Sequence, residues 1–130
     1  MDEGLPMSLT HEELSADNLT VASKAPTNEW SITMLFYAAV HAADHVLFGS
    51  SGAPDTGYDH KQREERMWQD KTLRTLRQQY LELKNLSIRS RYVPAVHPMT
   101  PLQLQHAERL AKHILKKTGV QVVVPSPSIS

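Results

Sequence analysis

Residues 28–48, which read NEWSITMLFYAAVHAADHVLF, decide the fold. Apolar side chains recur in this stretch at steps of three and four residues, which is the spacing of one buried face on an α-helix. That face consists of Ile32, Leu35, Phe36, Ala39, Val40, Ala43, Val46 and Leu47. Thr27 or Asn28 can cap the start of the helix, and its end is expected before Gly49.

Three further segments carry helical signals, at 10–23, about 59–90 and 100–118. The first and the last open with a capping box, in which Thr10 pairs with Glu13 and Thr100 pairs with Gln103. No segment alternates as a strand does, and the connections are short, so we expect an all-α, antiparallel, up-and-down four-helix bundle. Its most buried side chains should include Phe36, Ala39, Ala43, Leu76, Leu83, Leu110 and Ile114.

The length and composition indicate one domain. The 130 residues divide into an N-terminal extension at 1–9, the bundle at 10–119 and a flexible tail at 120–130. Lys plus Arg equals Asp plus Glu, at 14 each, so the chain has no net positive charge that would attract nucleic acid. A local patch of positive charge is still compatible with this balance. The absence of cysteine excludes disulfides, thiolate metal sites and a cysteine nucleophile. The start resembles no signal peptide and no apolar run approaches the roughly 20 residues of a membrane span, so we expect a cytoplasmic protein.

A second stripe on the 28–48 helix mixes aromatic and polar side chains, at Met34, Tyr37, His41, His45 and Phe48, with Asp44 beside the histidines. It forms either a face packed against another helix or a dimer mate, or a polar pocket. His41-x-x-Asp44-His45 also fits zinc, because histidines four residues apart share a helix face. A third ligand would have to come from elsewhere, for example His60. Since two histidines alone are a weak signal, we expect neither a metal nor another cofactor.

Arginine and aromatic residues gather near the end of the third predicted helix. Arg89, Arg91 and Tyr92 occur together there, and His97 follows. A guanidinium can fork onto a phosphate, and a tyrosine or histidine ring can stack on a base. Alternatively, Arg91 and Tyr92 anchor the proline-rich connection to the bundle. A second basic group at the start of this helix is either a binding patch or a solvated face: His60, Lys61, Arg63 and Arg66.

These motifs, in this order, resemble the HEPN-domain proteins, and more narrowly the small stand-alone bacterial HEPN-like proteins. The resemblance covers about residues 10–118 and rests on Phe36-Tyr37-Ala-Ala-Val-His41, His60-x-x-Arg63 and Ser87-x-Arg89-x-Arg91-Tyr92. It implies a bundle of four or five helices, often a homodimer, whose cleft binds nucleotide or RNA. The residues expected to bind are Arg89, Tyr92, His60, Arg63, Tyr37 and Asp44.

Many members of that family are metal-independent RNA endonucleases, including toxins of toxin–antitoxin pairs. Their signature is an arginine and a histidine with about four to six residues between them, which Arg91 and His97 match with residues 92–96. The resemblance implies that Arg91 holds the phosphate, that His97 moves a proton and that His41 is the complementary acid or base. Tyr92 stands where the family usually has a polar residue, so catalysis stays open.

We therefore expect a HEPN-like protein that binds nucleotide or RNA, with ribonuclease activity left open. Its expected partners are a second copy of the chain and an antitoxin or a nucleotidyltransferase. One alternative is a non-catalytic dimerisation or adaptor module that uses the His41 stripe as its interface. A more distant alternative is a metal-dependent hydrolase that uses His41 and His45.

Overall fold

The computed structural model describes residues 10–48, 60–92 and 98–121, which form α-helices and no strand. In chain order the helices are α1 (His11–Ser23), α2 (Asn28–Phe48), α3 (His60–Met67), α4 (Lys71–Thr75), α5 (Arg77–Tyr92) and α6 (Pro101–Thr118). The all-α prediction is confirmed. The bounds predicted for the first, second and last helices agree with α1, α2 and α6 to within one residue.

The prediction of one continuous third helix is wrong, because the chain interrupts it twice. Asp70 has an extended backbone and its carboxylate accepts a hydrogen bond from the Leu73 N–H at 2.9 Å, so it ends one helical run and caps the next. The second interruption is at Leu76, where α4 ends before α5 begins. Aspartate competes for backbone hydrogen bonds, which explains why an unbroken apolar period did not give an unbroken helix.

Helix α2 lies at the centre and contacts α1, α5 and α6. Two serine hydroxyls fix α1 antiparallel to it: Ser15 donates to the Ala38 carbonyl at 2.6 Å, and Ser31 donates to the Ala22 carbonyl at 2.8 Å. Alanines on α2 let the two backbones approach closely enough for these bonds. The pairing of Ser15 with Ala38 also sets which side chains of α1 and α2 meet further along.

The core forms where α2 meets α5 and α6. All seven residues predicted to be most buried are buried, with none more than 7% exposed. The largest fully buried side chain is Tyr80, whose ring centroid lies 5.6 Å from that of Phe36 and 6.1 Å from that of Trp68. Aromatic pairs at these separations add to the free energy of burial. The core prediction is therefore confirmed.

The start of α2 is held against the segment that precedes α6. The Glu29 carboxylate accepts from the Met99 N–H at 2.6 Å, and the Asn28 amide donates to the Met99 carbonyl at 3.0 Å. Thr100 then caps α6 in the predicted capping box, and Gly119 ends it with a φ of 82°, a left-handed conformation that favours glycine. Both ends of α6 are thus defined by local sequence.

Helix α2 is also long and apolar enough to cross a membrane, judged by length and composition alone. In the described part of the chain it is the one helix with that property, and 61% of its apolar window is buried inside the protein. The core helix of a bundle has the same composition, because neighbours cover several of its faces. The expectation that no apolar run approaches the length of a span was therefore too strict.

Candidate functional site

Two histidines meet where α1 begins and α2 approaches its end. One turn before Ser15 on α1 lies His11, and about one turn after Ala38 on the antiparallel α2 lies His41. Their Nδ1 atoms are 3.5 Å apart, and their rings stack with centroids separated by 5.7 Å. His11 is buried and His41 is half-buried. The register set by the serine bond therefore brings together two residues that are 30 positions apart in sequence.

Asp44 and Arg63 complete this group. Asp44 lies three residues after His41 on α2, and its Oδ2 atom is 3.9 Å from the Nδ1 atom of His11. Helix α3 supplies Arg63, whose Nε donates to Asp44 Oδ1 at 2.8 Å and whose Nη2 donates to Oδ2 at 3.2 Å. A buried carboxylate is costly unless it is paired, and this fork provides the pairing. We call His11, His41, Asp44 and Arg63 the His–Asp–Arg cluster.

The surroundings of the cluster favour a neutral imidazole on His41. Burial lowers the pKa of His41, the Asp44 carboxylate opposes that shift, and His11 and Arg63 add to it. A neutral imidazole keeps a free lone pair on one nitrogen, so it can accept a hydrogen bond or ligate a cation. The cluster can thus hold a proton or a cation between helices.

Nearby groups tie α3 and α5 to the same region. Glu64, the residue after Arg63, forms an ion pair with Lys84 of α5, which fixes α3 in place. Burial raises the pKa of the Tyr80 phenol; Arg63 opposes this shift, and Glu64 and Asp44 add to it. Among the described residues, none gives the Tyr80 hydroxyl a hydrogen bond. This end of the bundle therefore concentrates buried polar groups from four helices.

A second group of predicted residues lies at the end of α5. The Arg91 guanidinium carbon is 5.4 Å from the centroid of the Tyr92 ring, and Tyr92 is 72% exposed. Arg91 also lines a cavity of about 270 Å³ that includes Trp30, which is 52% exposed. Arg89 is exposed on the same turn of α5. We call Trp30, Arg89, Arg91 and Tyr92 the α5-end surface.

The structure therefore shows two groups where the sequence predicts one pocket. Arg91 lies beside Trp30 and Thr33, in the first two turns of α2. His41 comes two turns after Thr33, which is about 12 Å along the helix axis. The structure does not bring Arg91 and His41 together, because α5 reaches the far end of α2 before Arg91 occurs.

The remaining predicted residues are placed as follows. Tyr37 is half-buried on α2, with its ring centroid 6.1 Å from that of Phe36. His41, Asp44 and Arg63 do come together, as the sequence analysis expected of one binding site. The side chain of His60 and the whole of His97 lie outside the described residues, so the pairing of Arg91 with His97 stays a prediction.

Sequence reasoning missed His11 and Trp30. The Thr10 capping box placed His11 at the first helical position, but α1 has a weak apolar pattern that does not reveal its buried face. The sequence also paired His41 with His45, whereas the structure pairs His41 with His11, since the donor atoms that converge come from two helices. Trp30 gave no signal of its own, because its neighbour Arg91 is 61 residues away in sequence.

No family model, curated protein or solved structure matches this chain. The resemblance to HEPN-domain proteins therefore stays a prediction that rests on the short motifs in the sequence.

Proposed function

We propose that this protein is a HEPN-like helical bundle that binds single-stranded RNA, or a nucleotide, through the α5-end surface. The observation that carries the proposal is the position of Arg91 beside two exposed aromatic side chains. Its guanidinium lies over the Tyr92 ring, and it lines one cavity with Trp30. Stacking of a base on an exposed ring contributes about 1–3 kcal/mol and is tolerant of base identity.

The arginines supply the complementary half of such a site. Arg89 and Arg91 carry charge at the C-terminal end of α5, where cations are also favoured by the helix dipole. The dipole accounts for the charges, but it does not account for the large exposed rings of Tyr92 and Trp30 next to them. A ligand that carries both phosphate and base accounts for all four residues.

The interaction should depend weakly on salt. Because positive and negative residues balance over the chain, attraction must come from the local charges of Arg89 and Arg91. Two such charges neutralise one or two phosphates, so the logarithm of the affinity should fall with the logarithm of salt concentration at a shallow slope of roughly one to two.

Catalysis by Arg91 together with His41 is not part of the proposal. The imidazole of His41 lies two turns along α2 from the residues beside Arg91, and it already contacts His11. A phosphate held by Arg91 is therefore not within hydrogen-bonding distance of His41. Cleavage by Arg91 and His97 predicts that the wild type cleaves RNA and that the His97→Ala variant does not.

The adaptor alternative has less support. It assigns the His41 stripe to an interface with a second chain, but the chain's own helices already cover part of that stripe. His41 stacks on His11 of α1, and Arg63 of α3 pairs with Asp44 beside it. A homodimer, an antitoxin or a nucleotidyltransferase partner stays a prediction from the family resemblance.

The decisive binding experiment is fluorescence anisotropy with a labelled, mixed-sequence single-stranded RNA. Arg91→Ala should weaken binding at least tenfold, because a charge-assisted hydrogen bond to phosphate contributes about 1.5–3 kcal/mol. Arg74→Ala is the control, since Arg74 is an exposed arginine that lines a different cavity, near the start of α5. An absence of RNA binding by the wild type, or equal losses in both variants, would contradict the proposal.

A further inference from the structure

Three ligand-type atoms converge at the His–Asp–Arg cluster, which the proposed RNA-binding surface does not include. They come from His11, His41 and Asp44, and all lie within 4.8 Å of one another. We propose that these three side chains form a binding site for one divalent transition-metal ion, with Zn²⁺ as the best fit. Two imidazole nitrogens and one carboxylate oxygen are a ligand set that zinc accepts, and they leave one further position for water.

The distances fit shared ligation better than direct hydrogen bonding. The 3.5 Å between the Nδ1 atoms of His11 and His41 is longer than the 2.7–3.2 Å typical of hydrogen bonds from nitrogen. Two nitrogens that each lie 2.0–2.1 Å from one tetrahedral zinc ion are about 3.3 Å apart. The 3.9 Å between His11 and Asp44 is about 0.6 Å longer than that, and the third pair, His41 and Asp44, lies within 4.8 Å, so binding an ion draws the Asp44 carboxylate toward both rings.

Arg63 is suited to orient the carboxylate ligand. Its shorter hydrogen bond, at 2.8 Å, goes to Asp44 Oδ1, and the longer one, at 3.2 Å, goes to Oδ2. Oδ2 is also the oxygen that faces His11, so it is the one available to the ion. Ligating carboxylates commonly keep a hydrogen bond from a neighbouring group, which fixes their direction.

The location gives the ion a structural consequence. His11 is the first residue of α1, and His41 and Asp44 lie in the second half of α2, so one ion would join the two helices. A ligand that binds the folded chain and not the unfolded chain raises the midpoint of thermal unfolding. The competing account is a pair of neutral imidazoles that share one proton and bind no ion.

Calorimetric titration of Zn²⁺ into the full chain, freed of metal with EDTA and then desalted, separates these accounts. The wild type should bind one ion per chain, and His11→Gln and His41→Gln should each weaken binding at least about tenfold, since each removes one of three ligands. His45→Gln is the matched control, because His45 is on the same helix and outside the converging group. It should bind zinc as the wild type does.

Two results would overturn the site: no saturable zinc binding by the wild type, or a loss in His45→Gln as large as that in His41→Gln with His11→Gln unaffected. The second result would instead support the pair of histidines four residues apart on α2. If a glutamine variant fails to fold, Co²⁺ added to the wild type is the independent test. Tetrahedrally bound Co²⁺ should give a visible absorption band that disappears when Zn²⁺ is added. If Co²⁺ gives no such band, the proposal is contradicted.

The proposed metal site and the proposed RNA-binding surface can be tested independently. Arg91→Ala should bind zinc normally, and His11→Gln should bind RNA normally, because the two sites lie at different levels of α2. A failure of zinc binding therefore leaves the RNA proposal intact, and a failure of RNA binding leaves the metal site intact.

Discussion

Arg63 and Arg91 each belong to a group of residues whose types suggest binding, yet the surroundings of the two side chains differ. The Arg63 side chain is 13% exposed and forks onto the buried carboxylate of Asp44, which neutralises it. Among the described residues, Arg91 makes one long hydrogen bond, at 3.4 Å, to the Ser87 carbonyl, and its guanidinium lies over the exposed ring of Tyr92. The first arginine stabilises the protein's own helices, whereas the second keeps donors that a ligand can use.

Residue type alone therefore does not separate an arginine that stabilises the fold from one that is available to bind a ligand. What separates them is the partner that the fold brings to each arginine. The helix α3 brings Arg63 to an aspartate on the central helix, and the end of α5 brings Arg91 to Trp30. Variants at the cluster should therefore change stability, and variants at the α5-end surface should change binding.

The largest expected effect is the loss of the buried ion pair. Arg63→Leu leaves the Asp44 carboxylate buried without its partner, and breaking one side of such a pair costs about 3–5 kcal/mol. Urea denaturation monitored by circular dichroism measures the decrease in the free energy of unfolding. Arg74→Leu, at an exposed position, should change the free energy of unfolding by no more than about 0.5 kcal/mol.

A double variant tests the cause of that loss. Asp44→Asn combined with Arg63→Leu removes the stranded charge, so it should be clearly more stable than Arg63→Leu alone. Equal stability of the single and double variants would mean that packing by the Arg63 side chain, rather than its charge, holds α3 in place.

The α5-end surface should show the opposite pattern. Trp30→Ala and Tyr92→Ala should each weaken binding of single-stranded RNA by about 1–3 kcal/mol, the contribution of one stacked base. Because both rings are exposed, the midpoint of thermal unfolding of each variant should stay close to that of the wild type. A variant that lost stability and RNA affinity together would place its ring in the core rather than in a binding surface.

Much of the fold follows from sequence, because its signals are local. The caps at Thr10 and Thr100 and the period of the 28–48 stretch gave three helices to within one residue. The third helix was predicted as continuous, since Asp70 interrupts the backbone without interrupting the apolar spacing. Local pattern therefore predicts the burial of a face better than the continuity of the helix that carries it.

The candidate sites were predicted only in part, because they depend on register between helices. The structure brings together His41, Asp44 and Arg63, which the sequence placed in one site, but their neighbour His11 depends on the hydrogen bond of Ser15 to Ala38. No spacing within one segment contains that information. For the same reason the sequence predicted one pocket for Arg91 and His41. In the structure α5 runs past His41 and places Arg91 near the start of α2.

A smaller effect is expected from pH. Burial lowers the pKa of His41 in the folded chain below its ordinary value of about 6.5; Asp44 from α2 opposes this shift, and His11 from α1 and Arg63 from α3 add to it. The unfolded chain therefore binds more protons as the pH falls below about 6.5, so the free energy of unfolding should decrease there. Denaturation in EDTA across this range should show the decrease, and His41→Gln should reduce it.

The fluorescence of Trp30 provides the sharpest test of whether RNA binds beside Arg91. The chain has two tryptophans, and Trp68→Phe leaves Trp30 as the sole reporter. Titration with single-stranded RNA should quench its emission to saturation, at the concentrations where anisotropy reports binding, and Arg91→Ala should abolish the quenching. Emission that stays constant while anisotropy reports bound RNA would contradict the claim.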